Sequence, residues 1–309
     1  MIDITKIKTF SLKGRKSKVD LKDFASLPVK GTSFLRFYNS LPEILKARDL
    51  KELVEATVRA KRNKKPIIFM CGAHVIKCGL NPILIELIKR KAINCIALNG
   101  AGIIHDFEIA FGGKTSEDVS SALEKGMFGM AKETADFINE AVKEGVGKGL
   151  GLGEAVAEKI AKSYLRYKNL SILFYAYKYR VTICVFIAIG TDIIHQHPSF
   201  DAGLTAEGSK RDFYKLIEII KNLKKGGVVL NFGSAVIMPE VFLKALNIAR
   251  NLDYKVKDFI TANFDMFYHY RPEQNLVKRP HLSGGKGFYI VGHHEIMLPL
   301  FAQAVIEKL

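Results

Sequence analysis

The sequence has no tryptophan, only four cysteines and no long apolar run among its 309 residues. Without a run of about 18 or more apolar residues, it predicts no membrane-spanning helix. The first residues alternate charged and apolar types, which predicts no secretory signal. The four cysteines are too scattered for a disulfide scaffold or a zinc ribbon; they are Cys71, Cys78, Cys95 and Cys184. We therefore expect a reduced, cytoplasmic protein without a membrane partner.

Acidic residues are scarce relative to basic ones: 31 Asp and Glu stand against 47 Lys and Arg, for a net charge of +16. The basic residues concentrate in Lys6–Lys18, Lys61–Lys65 and Lys221–Lys225. No RNP motif, helix-turn-helix pattern or aromatic–basic interleaving accompanies them. They indicate a solvated surface, and a nucleic-acid partner is not expected, although a basic nucleic-acid-associated protein stays open as an alternative.

The remaining composition is that of a globular protein, with 48% hydrophobic and 25% charged residues. Residues 1–60 are predicted to form an N-terminal helical extension, in which Leu50, Leu53, Val54 and Val58 share one helix face. From Pro66 onward, short apolar runs alternate with helical patterns. Residues 61–309 are therefore predicted to form the catalytic domain.

Six apolar runs are predicted strands: 66–71, 93–98, 181–189, 227–232, 256–262 and 287–291. Continuous apolar strands that alternate with helices predict an α/β fold with a parallel sheet covered on both faces. The uneven spacing and a long helical insert after the second strand argue against a barrel. We expect a Rossmann-like, doubly wound, mostly parallel sheet of six or slightly more strands.

Ligands of such sheets bind beyond the carboxyl ends of the strands, so the residues that follow each strand are candidate site residues. Asn99–Gly102 and Gly233–Ala235 are glycine-rich turns before predicted helices, and such turns can present free N–H groups to a pyrophosphate. The expected cofactor-binding residues in these post-strand segments include Gly72, His74, Asn99, Gly100, Gly102, Thr191, Asp192, Gly233 and Ser234.

All eight histidines lie in post-strand or loop segments, where a histidine can act as an acid or base near neutral pH. The candidate catalytic histidines are His105, His195, His197, His293 and His294. His195, His197 and the His293–Glu295 segment could instead supply metal ligands, although no H-E-x-x-H helix is present. A metal-dependent hydrolase or lyase therefore stays open as an alternative, with no metal assigned.

Several of these segments resemble the deoxyhypusine synthase family, and they occur in the family's order from Pro66 to the C-terminus. Asn99–Asp106 is similar to its T-A-G-G nucleotide turn, and Leu173–Asp192 to its segment that ends in T-D. Leu230–Ala235 takes the place of its glycine-rich turn, Ile260–Asp265 is similar to its N-T-A-Q-E-F-D, and Val291–Phe301 resembles its last helix.

This resemblance implies a Rossmann-like enzyme that binds NAD and forms a homotetramer or dimer with sites at subunit interfaces. Enzymes of the family transfer the aminobutyl group of spermidine to a lysine. The NAD pocket that the resemblance implies is lined by Gly100, Gly102, Asp106, Asp192, Gly233, Thr261 and Ala262.

The sequence also departs from the family pattern. The family's catalytic lysine follows a tryptophan, which this chain lacks, so Lys286 is the nearest candidate and Lys278 an alternative. We therefore expect a divergent NAD-dependent transferase or oxidoreductase that acts on a small amine or hydroxyl substrate and does not make deoxyhypusine. The expected substrate-binding residues are Asp265, His269, Arg271 and Glu295.

Overall fold

The computed structural model describes residues 2–309 and divides the chain into two units, one up to Lys51 and one from Glu52 to Leu309. In the first unit, residues 2–30 contain three single-turn helices (Ile4–Lys6, Leu12–Gly14 and Leu21–Asp23), and no residue of this range is buried. Helix α1 (Phe34–Ser40) begins where the Ser33 hydroxyl accepts the N–H of Arg36 at 3.3 Å. The unit boundary lies inside helix α2 (Leu45–Arg62), before the position 60 chosen from the sequence.

The second unit contains a six-stranded sheet in the order β3-β2-β1-β4-β5-β6, with every neighbouring pair parallel. This confirms the predicted Rossmann-like, doubly wound fold. The strand order reverses between β1 and β4, which is where such folds open a ligand crevice. The strands are β1 (Ile67–Cys71), β2 (Cys95–Asn99), β3 (Thr182–Phe186), β4 (Val228–Phe232), β5 (Ile260–Asp265) and β6 (Lys286–Val291).

Helices connect and cover these strands. Within residues 2–309, no helix is both long and apolar enough to cross a membrane. The helices of the second unit after α2 are α3 (His74–Lys77), α4 (Asn81–Lys89), α5 (Gly100–Gly112), α6 (Val119–Leu123), α7 (Lys132–Gly147), α8 (Leu152–Lys162), α9 (Ile172–Lys178), α10 (Ala202–Ile220), α11 (Ile237–Asn251), α12 (Tyr270–Pro272) and α13 (His294–Lys308).

The fifth strand is where the sequence prediction was furthest from the structure. The sequence predicts this strand at 256–262, whereas β5 begins at Ile260, which pairs with Val228 and Lys286. Asp258 has a φ angle of 58°, in the left-handed region, and this backbone conformation interrupts an extended strand. The predicted third strand was also too long, because β3 ends at Phe186.

Both faces of the sheet are apolar. On one face, α10 and α11 pack Leu216 and Phe242 against Met70 of β1 and its neighbours. On the other, Phe232 stacks on Phe264 with ring centroids 4.2 Å apart, and α13 covers this pair. Burial on both faces explains why the strands are continuous apolar runs without alternation.

The outer edge of β3 is closed by a buried carboxylate. Asp212 of α10 accepts the N–H of Val185 at 2.9 Å and the N–H of Gly153 at 2.8 Å. The first bond satisfies a donor on the edge strand, and the second holds the start of α8 against it. Burial raises the pKa of Asp212 to about 7, against the opposing effect of these hydrogen bonds.

Two glycines provide a test of the close contact between the turns after β1 and β4. A Cβ on Gly72 would lie 2.4 Å from the Gly233 carbonyl oxygen, so Gly72→Ala should lower the free energy of unfolding by about 1–3 kcal/mol. Gly147, at the end of α7, has open space around its Cβ position. Gly147→Ala should raise stability by about 0.4–1 kcal/mol. Urea unfolding measures both, and equal effects of the two variants would contradict the contact.

Candidate functional site

Because all six strands are parallel, the loops that follow them meet at one edge of the sheet, called here the carboxyl edge. Three features lie along it. The histidine cluster consists of His74, Asp265, His269 and His293–Glu295. The α5 cavity lies beside the first turns of α5, and the α10–α11 pocket lies between those two helices.

His294, the first residue of α13, is the centre of the histidine cluster. Its ring centroid lies 5.9 Å from that of His74, which follows β1. A Cβ on Gly233 would lie 2.5 Å from His294 Nε2, so only glycine lets the ring approach the turn after β4. His294 is buried, and its Nδ1 has no hydrogen-bond partner. Burial lowers the pKa of His294, against the opposing charge of Asp265, so the imidazole is neutral near pH 7.

Carboxylates accompany the other histidines of the cluster. Asp265 ends β5, is buried, and places Oδ1 3.7 Å from His269 Nε2. At the exposed rim, Glu295 lies 3.7 Å from His293 Nδ1 and 3.9 Å from Cys78 Sγ. Burial and the charge of Glu295 raise the pKa of the Cys78 thiol. The cluster thus offers a buried neutral imidazole beside a carboxylate, with exposed histidines next to it.

The α5 cavity has a volume of about 180 Å³. It is bounded by the start of α5, the chain around Glu117 and the loop after β3, and Lys77 of α3 reaches its wall. Its lining combines carboxylates, an imidazole and an ammonium group with the apolar side chains of Ile104, Val119, Phe128 and Ile193. The lining residues include Lys77, Ala101, His105, Glu108, Ser116, Glu117, Thr191 and Asp192.

Asp192 occupies the position at the start of α5 where a phosphate was expected. A Cβ on Gly100 would lie 1.9 Å from Asp192 Oδ2, and the carboxylate accepts the N–H of Ala101. The Asn99 side chain accepts the N–H of Gly102 at 3.1 Å. These donors are therefore used within the chain, and the turn does not present the free N–H groups that the sequence led us to expect.

Asp106, also expected to line the cofactor pocket, points into the protein interior. It is fully buried and accepts hydrogen bonds from the Asn81 amide at 3.1 Å, the Ser171 hydroxyl at 2.5 Å and the Ile172 N–H at 2.7 Å. It also accepts the N–H of Leu173 at 3.2 Å. Asp106 thus caps α9, and the expected contact with a cofactor is corrected to a structural role.

The expected residues of β5 and β6 lie away from the carboxyl edge. Thr261, near the start of β5, is buried and donates its hydroxyl to the Leu276 carbonyl at 2.6 Å, and Ala262 is buried beside it. Lys286 begins β6, at the opposite edge of the sheet, and forms an ion pair with Glu52. The structure therefore does not bring Thr261, Ala262 or Lys286 to the other site residues. The alternative Lys278 is exposed and pairs with Glu273 at 3.0 Å.

The histidines after β3 make hydrogen bonds to the backbone. His195 Nδ1 accepts the N–H of Gly190 at 3.1 Å and that of Asp192 at 3.3 Å, and burial lowers the pKa of His195. His197 Nε2 donates to the Gly129 carbonyl at 2.8 Å. Thr191 is exposed and donates its hydroxyl to the Ala188 carbonyl at 2.7 Å. His195 and His197 thus organise this loop rather than face the histidine cluster.

The sequence did not reveal the α10–α11 pocket, which has a volume of about 490 Å³ and a mostly apolar lining. The helical periodicity placed Phe213 on an apolar face, but it could not show that the face ends in an opening. The turn after β4 joins this pocket to the histidine cluster, because Gly233 contacts His294 while Val236 and Ile237 line the pocket. The lining residues include Phe186, Ile189, Ala206, Ser209, Lys210, Phe213, Val236, Ile237 and Glu240.

Two further expectations concern charge and metal. Arg271 Nε lies 3.4 Å from Glu240 Oε1, so the arginine is paired with a residue of the pocket lining. Within residues 2–309, no three His, Cys, Asp or Glu side chains are arranged so that they could hold a metal ion. The histidines that could have served as metal ligands are instead distributed along the carboxyl edge. Among residues 2–309, the metal-dependent alternative therefore has no group of side chains that could bind a metal ion together.

No protein-family model and no curated protein sequence matches the chain. Solved structures do share its fold. A proposed deoxyhypusine synthase from Entamoeba histolytica matches with a TM-score of 0.56 and 11% identity, over 90% of this chain and 94% of that one. A proposed LOR/SDH protein from Methanococcus maripaludis S2 matches with a TM-score of 0.50 and 16% identity, over 90% and 71%.

AgrE has the same fold in part of its chain. Its ternary complex with ornithine and NAD⁺ matches with a TM-score of 0.50 and 10% identity, over 84% of this chain. The present chain spans only 33% of that AgrE chain. These similarities confirm the deoxyhypusine synthase-like fold that the sequence motifs led us to expect.

Asp192 should impose a pH dependence on stability. Burial raises its pKa from 3.8 to about 6, so the folded protein binds the proton more tightly than the unfolded chain does. The stability of the wild type relative to Asp192→Asn should therefore fall as the pH rises from about 4 to about 7, by up to about 3 kcal/mol.

Urea unfolding at a series of pH values measures this difference. The matched control is Asp118→Asn, which changes an exposed carboxylate near the same cavity. Its stability difference from the wild type should stay nearly constant over the same range. A flat profile for Asp192→Asn would show that the carboxyl is not buried as the structure has it.

Proposed function

We propose that the protein is an NAD-dependent enzyme that acts on a small amine or hydroxyl substrate at the carboxyl edge. The observation that carries this proposal is the α10–α11 pocket, which is lined by residues that follow β3 and β4, because the turn after β4 also contacts the histidine cluster. The chain lacks the tryptophan that precedes the catalytic lysine of deoxyhypusine synthases, and the candidate Lys286 begins β6, at the edge of the sheet opposite the carboxyl edge. The activity proposed is therefore a dehydrogenation or a transfer other than deoxyhypusine synthesis.

The residues of the α10–α11 pocket fit a nucleobase better than the start of α5 fits a pyrophosphate. Ligand pockets typically have volumes of roughly 300–1,000 Å³, apolar walls and a few polar groups. At about 490 Å³, this pocket lies in that range, with Phe213 and Ile237 among its apolar lining. Ser209, Lys210 and Glu240 supply the polar groups. At the start of α5, by contrast, Asp192 already fills the anion position.

When bound, NAD⁺ would supply a hydride acceptor. The chain's own contribution is proton handling in the histidine cluster. Exposed His74 and His293, beside the buried ring of His294, can accept a proton from a substrate hydroxyl or ammonium group. The charge of Asp265 opposes the burial that lowers the pKa of His294. Asp265, His269 and Glu295 would contact the substrate.

The AgrE complex with ornithine and NAD⁺ supports this proposal, because it shows a protein of the same fold with an amine and this cofactor bound. The family resemblance implies an enzyme of several subunits. It therefore supports a homo-oligomer, either a dimer or a tetramer. Cytoplasmic location and the absence of a nucleic-acid partner stay predictions from the sequence.

NAD⁺ should raise the thermal unfolding temperature. At about one hundred times the dissociation constant, binding adds about 2.7 kcal/mol, which corresponds to a rise of several degrees for a chain of this length. Ala206 is exposed and lines the α10–α11 pocket, so Ala206→Trp should fill the pocket and abolish the rise.

The control for this experiment is Ala202→Trp, one helical turn earlier on α10 at an exposed position outside the pocket lining. It should keep the full rise. If both tryptophan variants respond like the wild type, the nucleobase does not bind in this pocket. If the wild type, shown to be free of nucleotide, gives no rise, the NAD proposal itself is wrong.

A further inference from the structure

Residues 2–30 form a segment, called here the basic segment, that leaves its side chains in solvent. Every residue of it except Asp23 is exposed, and Asp23 is partly exposed. Its single-turn helices are held by local hydrogen bonds. The Asp3 side chain accepts the N–H of Thr5 at 3.1 Å, and the Asp23 side chain accepts the N–H of Asp20 at 2.9 Å. These caps order the backbone without burying any residue of the basic segment.

The basic segment exposes ten large apolar side chains. Their exposed fractions range from 45% to 92%. Single exposed apolar residues are ordinary on a protein surface, but ten of them in one short segment indicate a surface that binds another apolar surface. The ten are Ile2, Ile4, Ile7, Phe10, Leu12, Val19, Leu21, Phe24, Leu27 and Val29.

The same segment is positively charged. It contains eight Lys and Arg against three Asp, for a net charge of +5. Six of the Lys and Arg lie between Asp3 and Asp20, a stretch without any acidic residue. Within residues 2–309, Lys6 is the only cation of the basic segment that has an acidic partner, Asp3 at 3.5 Å. A partner that matches this segment is therefore anionic as well as apolar.

A pocket of about 400 Å³ extends this chemistry to helix α1. Leu27 and Val29 of the basic segment line it together with Phe37 of α1, which is also exposed. Arg36 lines the same pocket, and it has no acidic partner within the part of the chain that the structure describes. An apolar recess beside an unpaired guanidinium group is suited to a molecule with both an apolar part and a phosphate.

Three kinds of partner could bind a basic segment, and they differ in how they treat its apolar side chains. A nucleic acid would neutralise the lysines but leave the aliphatic side chains in water, since bases stack on aromatic rings and only Phe10 and Phe24 are aromatic. A second copy of this chain would repel the segment, because the remaining residues carry +11 of the net charge of +16. A bilayer with anionic headgroups satisfies both requirements.

We propose that the basic segment binds the surface of a bilayer that contains anionic phospholipids. Its apolar side chains enter the boundary between headgroups and acyl chains, and its lysines lie among the headgroup phosphates. The expectation of no membrane partner rested on the lack of a long apolar run, which concerns spanning helices only. A segment that lies on the surface needs no such run. Binding to the bilayer also requires no NAD.

Cosedimentation of the full chain with vesicles tests this proposal. The wild type should bind vesicles of phosphatidylcholine with about 30% phosphatidylglycerol, and at least about tenfold more weakly vesicles of phosphatidylcholine alone. Binding to the anionic vesicles should weaken as the salt concentration rises from about 0.1 M to about 1 M, because the Debye length falls from about 10 Å to about 3 Å. No binding to the anionic vesicles, or equal binding to both kinds, would overturn the proposal.

Two variants with equal loss of charge separate the basic segment from a general attraction of the basic chain. The first should weaken binding at least about tenfold, since each cation near an anionic surface contributes about fivefold. It combines Lys8→Gln, Lys13→Gln and Lys16→Gln. The control changes exposed lysines of the second unit and should bind within about threefold of the wild type. It combines Lys64→Gln, Lys224→Gln and Lys225→Gln. Equal weakening by the two variants would contradict the proposal.

Exposed leucines provide a matched test of the apolar contribution. Three of them in the basic segment are replaced by Leu12→Ser, Leu21→Ser and Leu27→Ser. This variant keeps every charge but should bind at least about tenfold more weakly, because less apolar surface leaves water. The control has the same three replacements in the second unit, Leu123→Ser, Leu252→Ser and Leu282→Ser. It should bind as the wild type does, and equal binding by both variants would show that the segment does not enter the bilayer.

Because the chain has no tryptophan, one introduced tryptophan can report on insertion. In Phe10→Trp, anionic vesicles should shift the emission to shorter wavelength, and bromine atoms on the acyl chains should quench it. Leu282→Trp, at a position that is 90% exposed in the second unit, should show neither effect. An unshifted and unquenched emission from Phe10→Trp would contradict the proposed insertion.

Two further results would assign the basic segment to another partner and overturn the proposal. In the first, the wild type binds no vesicles and the leucine variant of the segment has a lower molar mass in sedimentation equilibrium, which indicates contact with a second copy. In the second, the wild type binds no vesicles, and a single-stranded oligoribonucleotide binds the wild type and this leucine variant equally. That result indicates a nucleic acid.

Discussion

The carboxylate of Asp192, held against Gly100, is the interaction on which the arrangement of the carboxyl edge depends. It ties the loop after β3 to the turn after β2, because it accepts the N–H of Ala101 at the start of α5. The contact requires glycine at position 100, since any side chain there would occupy the space of the carboxylate. The same interaction closes an anion site and forms one wall of the α5 cavity.

The fold gives the carboxyl edge two chemically different regions. Over β1, β4, β5 and β6, the histidine cluster has a neutral buried imidazole at His294, and the turn after β4 continues from it into an apolar pocket. Over β2 and β3, the α5 cavity is smaller, and three carboxylates, an imidazole and an ammonium group line it together with apolar side chains. Helix α3 connects the regions, because His74 contacts His294 while Lys77 lines the cavity.

The fold could be predicted from the sequence because the strands are buried on both faces. Ile67–Cys71 and Val228–Phe232 are continuous apolar runs that match no amphipathic helix, and the parallel sheet follows from their alternation with helices. The predicted strand ends also indicated which residues lie at the carboxyl edge. Two of these residues, His74 and His294, are in contact in the structure. Thr261 and Ala262 were expected in the cofactor pocket from the family resemblance, which could not show that both are buried within β5.

The sequence by itself determined the doubly wound sheet and the set of polar residues that follow its strands, since apolar periodicity and strand order along the chain are local properties. Only the tertiary structure decided which groups each of these residues contacts. Asp106 and Asp192 follow strands equally well, yet Asp106 is saturated by the N–H groups of α9, and Asp192 keeps an unpartnered oxygen. The reason is that hydrogen-bond donors come from segments distant in sequence, and their competition for each carboxylate is settled only when the chain is folded.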